Sequence, residues 1–121
     1  MTWSAVGAVA LALAVALGAF GAHGLRGRLD QYLMGIYEKA VFYHFIHALG
    51  VLTVPLFARL IAMPRAGVVC ALLTAGIVFF SGSLYLMAVT GSLWLGAVTP
   101  IGGVCFIAGW LVLAYSLVRS V

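Results

Sequence analysis

The sequence predicts an all-α integral membrane protein: a four-transmembrane-helix bundle with an amphipathic segment between helices 1 and 2. Three observations predict it. Hydrophobic residues make up 66% of the 121-residue chain and charged ones only 7%, against about half and about a quarter in soluble domains. Four apolar stretches are each long enough, at roughly 20 residues, to cross a hydrocarbon core of about 30 Å as a helix. Backbone groups in lipid must be satisfied within the segment, which a helix does. A soluble domain, a disordered segment and a nucleic-acid binder are all excluded, because a small soluble fold needs a far more polar surface.

The first span covers residues 3–22, an apolar run without charge. It has no positively charged leader, so a retained helix is expected rather than a signal peptide. Residues 25–39 form the amphipathic segment. Leu25, Leu29, Leu33 and Ile36 recur at helical spacing, while Arg26, Arg28, Asp30, Gln31, Glu38 and Lys39 lie mostly on other faces. Asp30 is the expected N-terminal cap, and the segment either lies in the interface or extends the second span. The second span covers residues 40–60. Arg59 and Arg65 bracket the turn at Met63-Pro64, the third span follows at 66–88, and Thr90-Gly91-Ser92 marks the turn before the fourth at 97–118.

The net charge of +4 is scattered along the chain, so its cations read as interface anchors. Threading the spans alternately places Arg59, Arg65 and Arg119 on one side and Arg26, Arg28 and Lys39 on the other. That tie leaves orientation open, and only the loop position of the second set tips expectation toward a cytoplasmic first loop. Cys70 and Cys105 stand apart without a C-x-x-C and read as free thiols.

Packing is expected along seams of small residues, which let helices approach closely in lipid. The first span carries two, Ala10-Ala14-Gly18-Ala22 and Ala8-Ala12-Ala16, so it is expected to sit between neighbours. Gly67-Ala71-Ala75 and Gly102-Cys105-Gly109 are the expected seams of the third and fourth spans.

The same threading collects most intramembrane polar residues in one leaflet: His23, His44, His47, Ser81, Ser83, Tyr85 and Thr99. Polar side chains in a membrane are costly and face the bundle interior, so these are the candidate ligand-binding or functional residues. His44 and His47, three apart, share a helix face, with Tyr37 one stripe above His44. The bland alternative is that each histidine bonds a hydroxyl or carbonyl on a neighbouring helix. Tyr85, Trp94 and Trp3 also fit interfacial anchoring. Gly18, Gly21, Gly24 and Gly27 fall every third residue, which weakens the helix end and leaves carbonyls available, with Ser81, Ser83 or Thr99 the expected contacts. No metal site, haem attachment or cofactor motif is present, and none is expected.

Gly18-Ala19-Phe20-Gly21-Ala22-His23, then Tyr43 and His47, then Phe80-Ser81-Gly82-Ser83-Leu84-Tyr85, Thr99-Pro100-Ile101-Gly102-Gly103 and Ala108-Gly109-Trp110 resemble the domain-of-unknown-function 423 / transmembrane protein 256 family. The likeness runs through nearly the whole chain. It implies a small four-span protein of the bacterial cytoplasmic (inner) membrane or of mitochondria, and it brings no established activity. His44 departs from it, since relatives often carry glutamine there, which shifts functional weight to His23 and His47.

Three functions are weighed. The first is a non-catalytic accessory or assembly partner of a larger membrane complex, or a homo-oligomer. The second is a lipid, quinone or small-solute binding or transport module built on the one-leaflet cluster. Proton-coupled drug export is disfavoured, since no span interior holds an Asp or Glu. An enzyme comes third, because no Ser, Cys or Lys nucleophile with a positioned base is recognisable.

Overall fold

Helix α1 (Thr2–Phe20) continues into a π turn at Gly21–Leu25 in the computed structural model, which describes residues 2–119. Gly27, at φ +85°, then reverses the chain in a left-handed conformation that a side chain would strain. Asp30 caps α2 (Gln31–Leu60), its Oδ1 accepting from the Leu33 N–H at 2.8 Å. The amphipathic segment is therefore continuous with the second span. Thirty residues at 1.5 Å each give about 45 Å, half as long again as the hydrocarbon core. Pro55, less than two turns from the end, leaves the helix running to Leu60.

The third span is two helices joined by a π turn: α3 (Ala66–Gly76), then Ile77–Ser81, then α4 (Gly82–Thr90). Gly91, at φ +72°, closes it, its N–H bonding the Met87 carbonyl at 2.8 Å. A 3₁₀ turn at Leu93–Ala97 leads into α5 (Thr99–Arg119), with Pro100 in the first turn where its missing N–H costs nothing. Four helical stretches, Thr2–Leu25, Gln31–Leu60, Ala66–Thr90 and Leu93–Arg119, are long and apolar enough to cross a membrane.

The core lies among spans two, three and four. Val51 and Val54 pack with Val69, Cys70, Leu73, Phe106 and Leu113. Helix α1 packs chiefly on α2, antiparallel, through Ser4, Gly7, Ala14, Gly21 and Leu25. At Gly7 the backbones meet: an added Cβ would lie 2.7 Å from Leu52 Cα.

The seams differ from the sequence expectation. With the half-buried Leu11 and Gly18 included, spacing in the α1 seam alternates three and four residues, as in a supercoiled pair, rather than a strict four. Ala14 lies in it, whereas Ala8, Ala12, Ala16 and Ala22 are exposed. In α3 the expected Gly67 and Ala71 are exposed, and the buried face is Val69, Cys70, Leu73 and Gly76. Val69 and Leu73 fill the centre of the bundle, while Gly76 leaves room for the Phe106 ring of α5. Gly102 and Gly109 are buried as expected, with Phe106 between them and Cys105 half-buried.

Candidate functional site

The candidates are held by α2 on one side and by the third and fourth spans on the other. The π turn matters here. It inserts one residue into the third span, so the inward stripe Val69, Leu73, Gly76 resumes at Ser81 and Leu84. Ser81 is fully buried and donates to the Ala40 carbonyl of α2 at 2.8 Å. Two residues on, the Ser83 hydroxyl meets Thr99 Oγ1 at 2.6 Å and donates to the Phe80 carbonyl at 2.9 Å. Thr99 Oγ1 has a carbonyl acceptor of its own in Leu95, at 3.4 Å, so either hydroxyl can donate to the other.

His44 and Tyr85 form the centre of a chain of contacts. The Tyr85 hydroxyl lies 2.8 Å from His44 Nδ1, and the imidazole faces the backbone of Ala10 in α1. Tyr37 packs edge-on against Tyr85 with ring centroids 5.2 Å apart, and its hydroxyl donates to the Leu17 carbonyl at 2.5 Å. The glycine-rich end of the first span thus offers a carbonyl, as its sequence suggests, but Tyr37 takes it rather than Ser81, Ser83 or Thr99. Tyr85 turns inward and does not serve as an interfacial anchor; Trp94, exposed on the 3₁₀ turn, fits that role.

His47 is held by its own helix. Its Nδ1 lies 2.7 Å from the Tyr43 carbonyl and must therefore donate. The ring stacks on Phe106, centroids 3.5 Å apart and planes 13° from parallel, with Tyr43 and Trp110 beside it. It behaves as an aromatic filler of the core, with a lone pair on Nε2 that has no partner among the described residues. His23 is exposed on the π turn and bonds none of the other candidates. The structure therefore pairs His44 with Tyr85 and Ser83 with Thr99, sets Ser81 and His47 in separate contacts, and leaves His23 outside.

Sequence reasoning missed the particular α1 carbonyl, that of Leu17, since no side chain marks it. Tyr37 carried a signal in its spacing of seven from His44. Among the described residues, no three His, Cys, Asp or Glu side chains gather as a metal-ligand set. A groove of about 490 Å³ runs beside the third span, lined by Val78, Phe79, Gly82, Leu86, Leu95 and Val98, with Ser83 and Tyr85 its polar side chains. A smaller cleft of about 130 Å³ lies where the first span meets α2.

Comparison with known proteins adds kinship. Residues 17–103 match the family described as "Protein of unknown function (DUF423)". A UPF0382 membrane protein of Staphylococcus epidermidis is 48% identical over 116 residues, covering 94% of this chain and 93% of its own. Another, from Staphylococcus haemolyticus, is 45% identical over 118 residues, 96% of this chain and 94% of its own. The UPF0382 membrane protein YwdK of Bacillus subtilis is 44% identical over 115 residues, 94% of each chain. No solved structure matches.

Proposed function

We propose a function from one premise: the chain belongs to the DUF423 family of small multi-pass membrane proteins. Its four apolar helices and bacterial relatives fit the cytoplasmic (inner) membrane. Within that setting it acts as a non-catalytic accessory or assembly subunit of a larger membrane complex. One observation carries this: α1 has a second, unoccupied face of small residues. Ala5, Ala8, Ala12, Ala16 and Ala19 all lie exposed on the side away from α2. Only 17% of the first span's apolar stretch is buried, against 39% for the second and third. Small residues on a lipid-facing surface let another transmembrane helix approach closely. The inward polar groups, meanwhile, are mostly spent on helix–helix bonds, which leaves little for chemistry.

Native mass spectrometry of the protein gently extracted from its own membrane tests this. The expected result is a stoichiometric second chain, lost in Ala12→Phe while the isolated variant melts like the parent. A wild-type protein that is always a monomer overturns it, and a second copy of the same chain makes the complex a homo-oligomer.

A lipid, quinone or small-solute binding module is the alternative, and the groove bearing Ser83 and Tyr85 favours it. That groove is apolar with two hydroxyl-bearing side chains, the usual make-up of an amphiphile site. A bound small molecule retained on extraction, and lost on widening Gly82 to leucine, decides for it.

A further inference from the structure

We propose that the cleft between the end of the first span and the start of α2 binds the headgroup of an aminophospholipid, one that carries both a phosphate and a primary ammonium. The cleft holds about 130 Å³, the share of roughly four liquid waters, which suits a headgroup rather than an acyl chain. Gly18, Gly21 and Ala22 form one wall with almost no side-chain bulk, and Val41 and Met34 line the other. Arg26 and Glu38 both line it as well.

These two opposite charges share one small cavity yet form no hydrogen bond or ion pair among the described residues. Asp30, the other carboxylate of this region, is already spent on the Leu33 N–H. Arg26 follows the last turn of the first span, whereas Gly18 and Val41 lie a turn or two further into their spans. The cleft is therefore charged toward the loop and apolar toward the membrane, the polarity of a lipid at the interface. Its paired signs select the headgroup. A guanidinium takes a phosphate through two parallel hydrogen bonds, and a carboxylate takes an ammonium through charge-assisted ones. A phosphatidylglycerol headgroup satisfies Arg26 but places no cation at Glu38. A choline headgroup has the positive charge but no N–H to donate.

The cleft is distinct from the alanine face and from the Ser83–Tyr85 groove, so it stands or falls separately from both. The test is native mass spectrometry of the purified protein with equal amounts of phosphatidylethanolamine, phosphatidylglycerol and phosphatidylcholine of identical acyl chains. Phosphatidylethanolamine adducts are expected to exceed each of the others about fivefold, the return on roughly one charge-assisted contact. Glu38→Gln should abolish the preference, Arg26→Gln should weaken all three lipids, and Ala22→Leu should fill the cleft and remove the adducts without altering charge. Arg26, Glu38 and Ala22 are all exposed, and matched melting temperatures will verify folding of each variant. Equal or greater retention of phosphatidylglycerol or phosphatidylcholine by the wild type overturns the proposal, as does a preference that survives Glu38→Gln. Displacement of the lipid by an equal concentration of water-soluble glycerophosphoethanolamine also overturns it, because the ligand is then a soluble phosphoamine.

Discussion

Replacing Gly7 with alanine is expected to destabilise the protein by about 1–2 kcal/mol, although alanine is the better helix former. The new Cβ would stand 2.7 Å from Leu52 Cα and 2.9 Å from the Val51 carbonyl carbon. Carbon atoms rest at about 3.5–4.0 Å, so α1 and α2 must part by about 1 Å over that turn. Both opposing atoms are backbone, and no rotamer change relieves the clash. Overpacking of this kind costs about 1–3 kcal/mol. Parting the helices also stretches the Ser4 hydroxyl away from the Leu52 carbonyl, now 2.8 Å distant, losing roughly 0.6 kcal/mol typical of such bonds in membranes. Helix propensity returns about 1 kcal/mol.

The assay is thermal unfolding in mild detergent followed by tryptophan fluorescence, since Trp3 sits on α1 and packs against the core. A fall in Tm on the order of 5 °C is expected. Two controls bracket it. Gly35→Ala, with nothing within 4 Å of its Cβ, should gain up to about 1 kcal/mol. Gly18→Ala, whose Cβ would meet Val41 Cγ1 at an acceptable 3.4 Å, should be near neutral. A Gly7→Ala protein as stable as the parent refutes the argument, because the two backbones cannot then be in contact.

Three more outcomes follow from the same geometry, each measured by the same unfolding assay. His44→Gln should cost under about 1 kcal/mol, since an amide still bonds the Tyr85 hydroxyl; His44→Leu strands the Tyr85 hydroxyl and should cost about 1–3 kcal/mol. Thr74→Val should stabilise by about 1 kcal/mol, because Thr74 Oγ1 is buried without a hydrogen-bond partner and valine keeps its shape. His23→Ala should change stability by less than about 0.5 kcal/mol, as expected of an exposed side chain without structural contacts.

Hydropathy and caps made much of the fold legible. Apolar run lengths give four spans, and Asp30 before a helical pattern gives the start of α2. The π turns were not legible, because an extra residue in a helix leaves no compositional mark when Ile77, Val78, Phe79 and Phe80 are all apolar. Without that shift the inward face of α4 cannot be placed, which is why the sequence shows Tyr85 both as a site candidate and as an anchor, without pairing it with His44. Gathering polar residues by leaflet identified His44, Ser81, Ser83 and Thr99 as inward-facing but overreached with His23. Depth in the membrane does not fix which way a side chain points, and the π turn at Gly21–Leu25 carries His23 to the outside.

The polar groups of α1 and α2 also solve a problem that the small-residue seam cannot. Apart from the close approach at Gly7, the seam matches only smallness to smallness, which distinguishes neighbouring registers weakly. Two hydrogen bonds remove that degeneracy, Ser4 donating to the Leu52 carbonyl and Tyr37 to the Leu17 carbonyl, with His44 facing the Ala10 backbone between them. Positions 4, 10 and 17 of α1 thus meet 52, 44 and 37 of α2, in order along an antiparallel pair and about two turns apart. A slip of one turn would break both bonds at once and leave the Ser4 and Tyr37 hydroxyls without their partners in an apolar interior, where polar groups are costly. The triple variant Ser4→Ala, Tyr37→Phe, His44→Leu should therefore keep its four helices but lose the fixed alignment of α1. Spin labels at the exposed Val9 and Leu49 would read this as one narrow distance in the parent and a broad distribution in the variant. A distribution equally narrow in both would mean that packing alone sets the register, and the hydroxyls and imidazole would need another reason to be there.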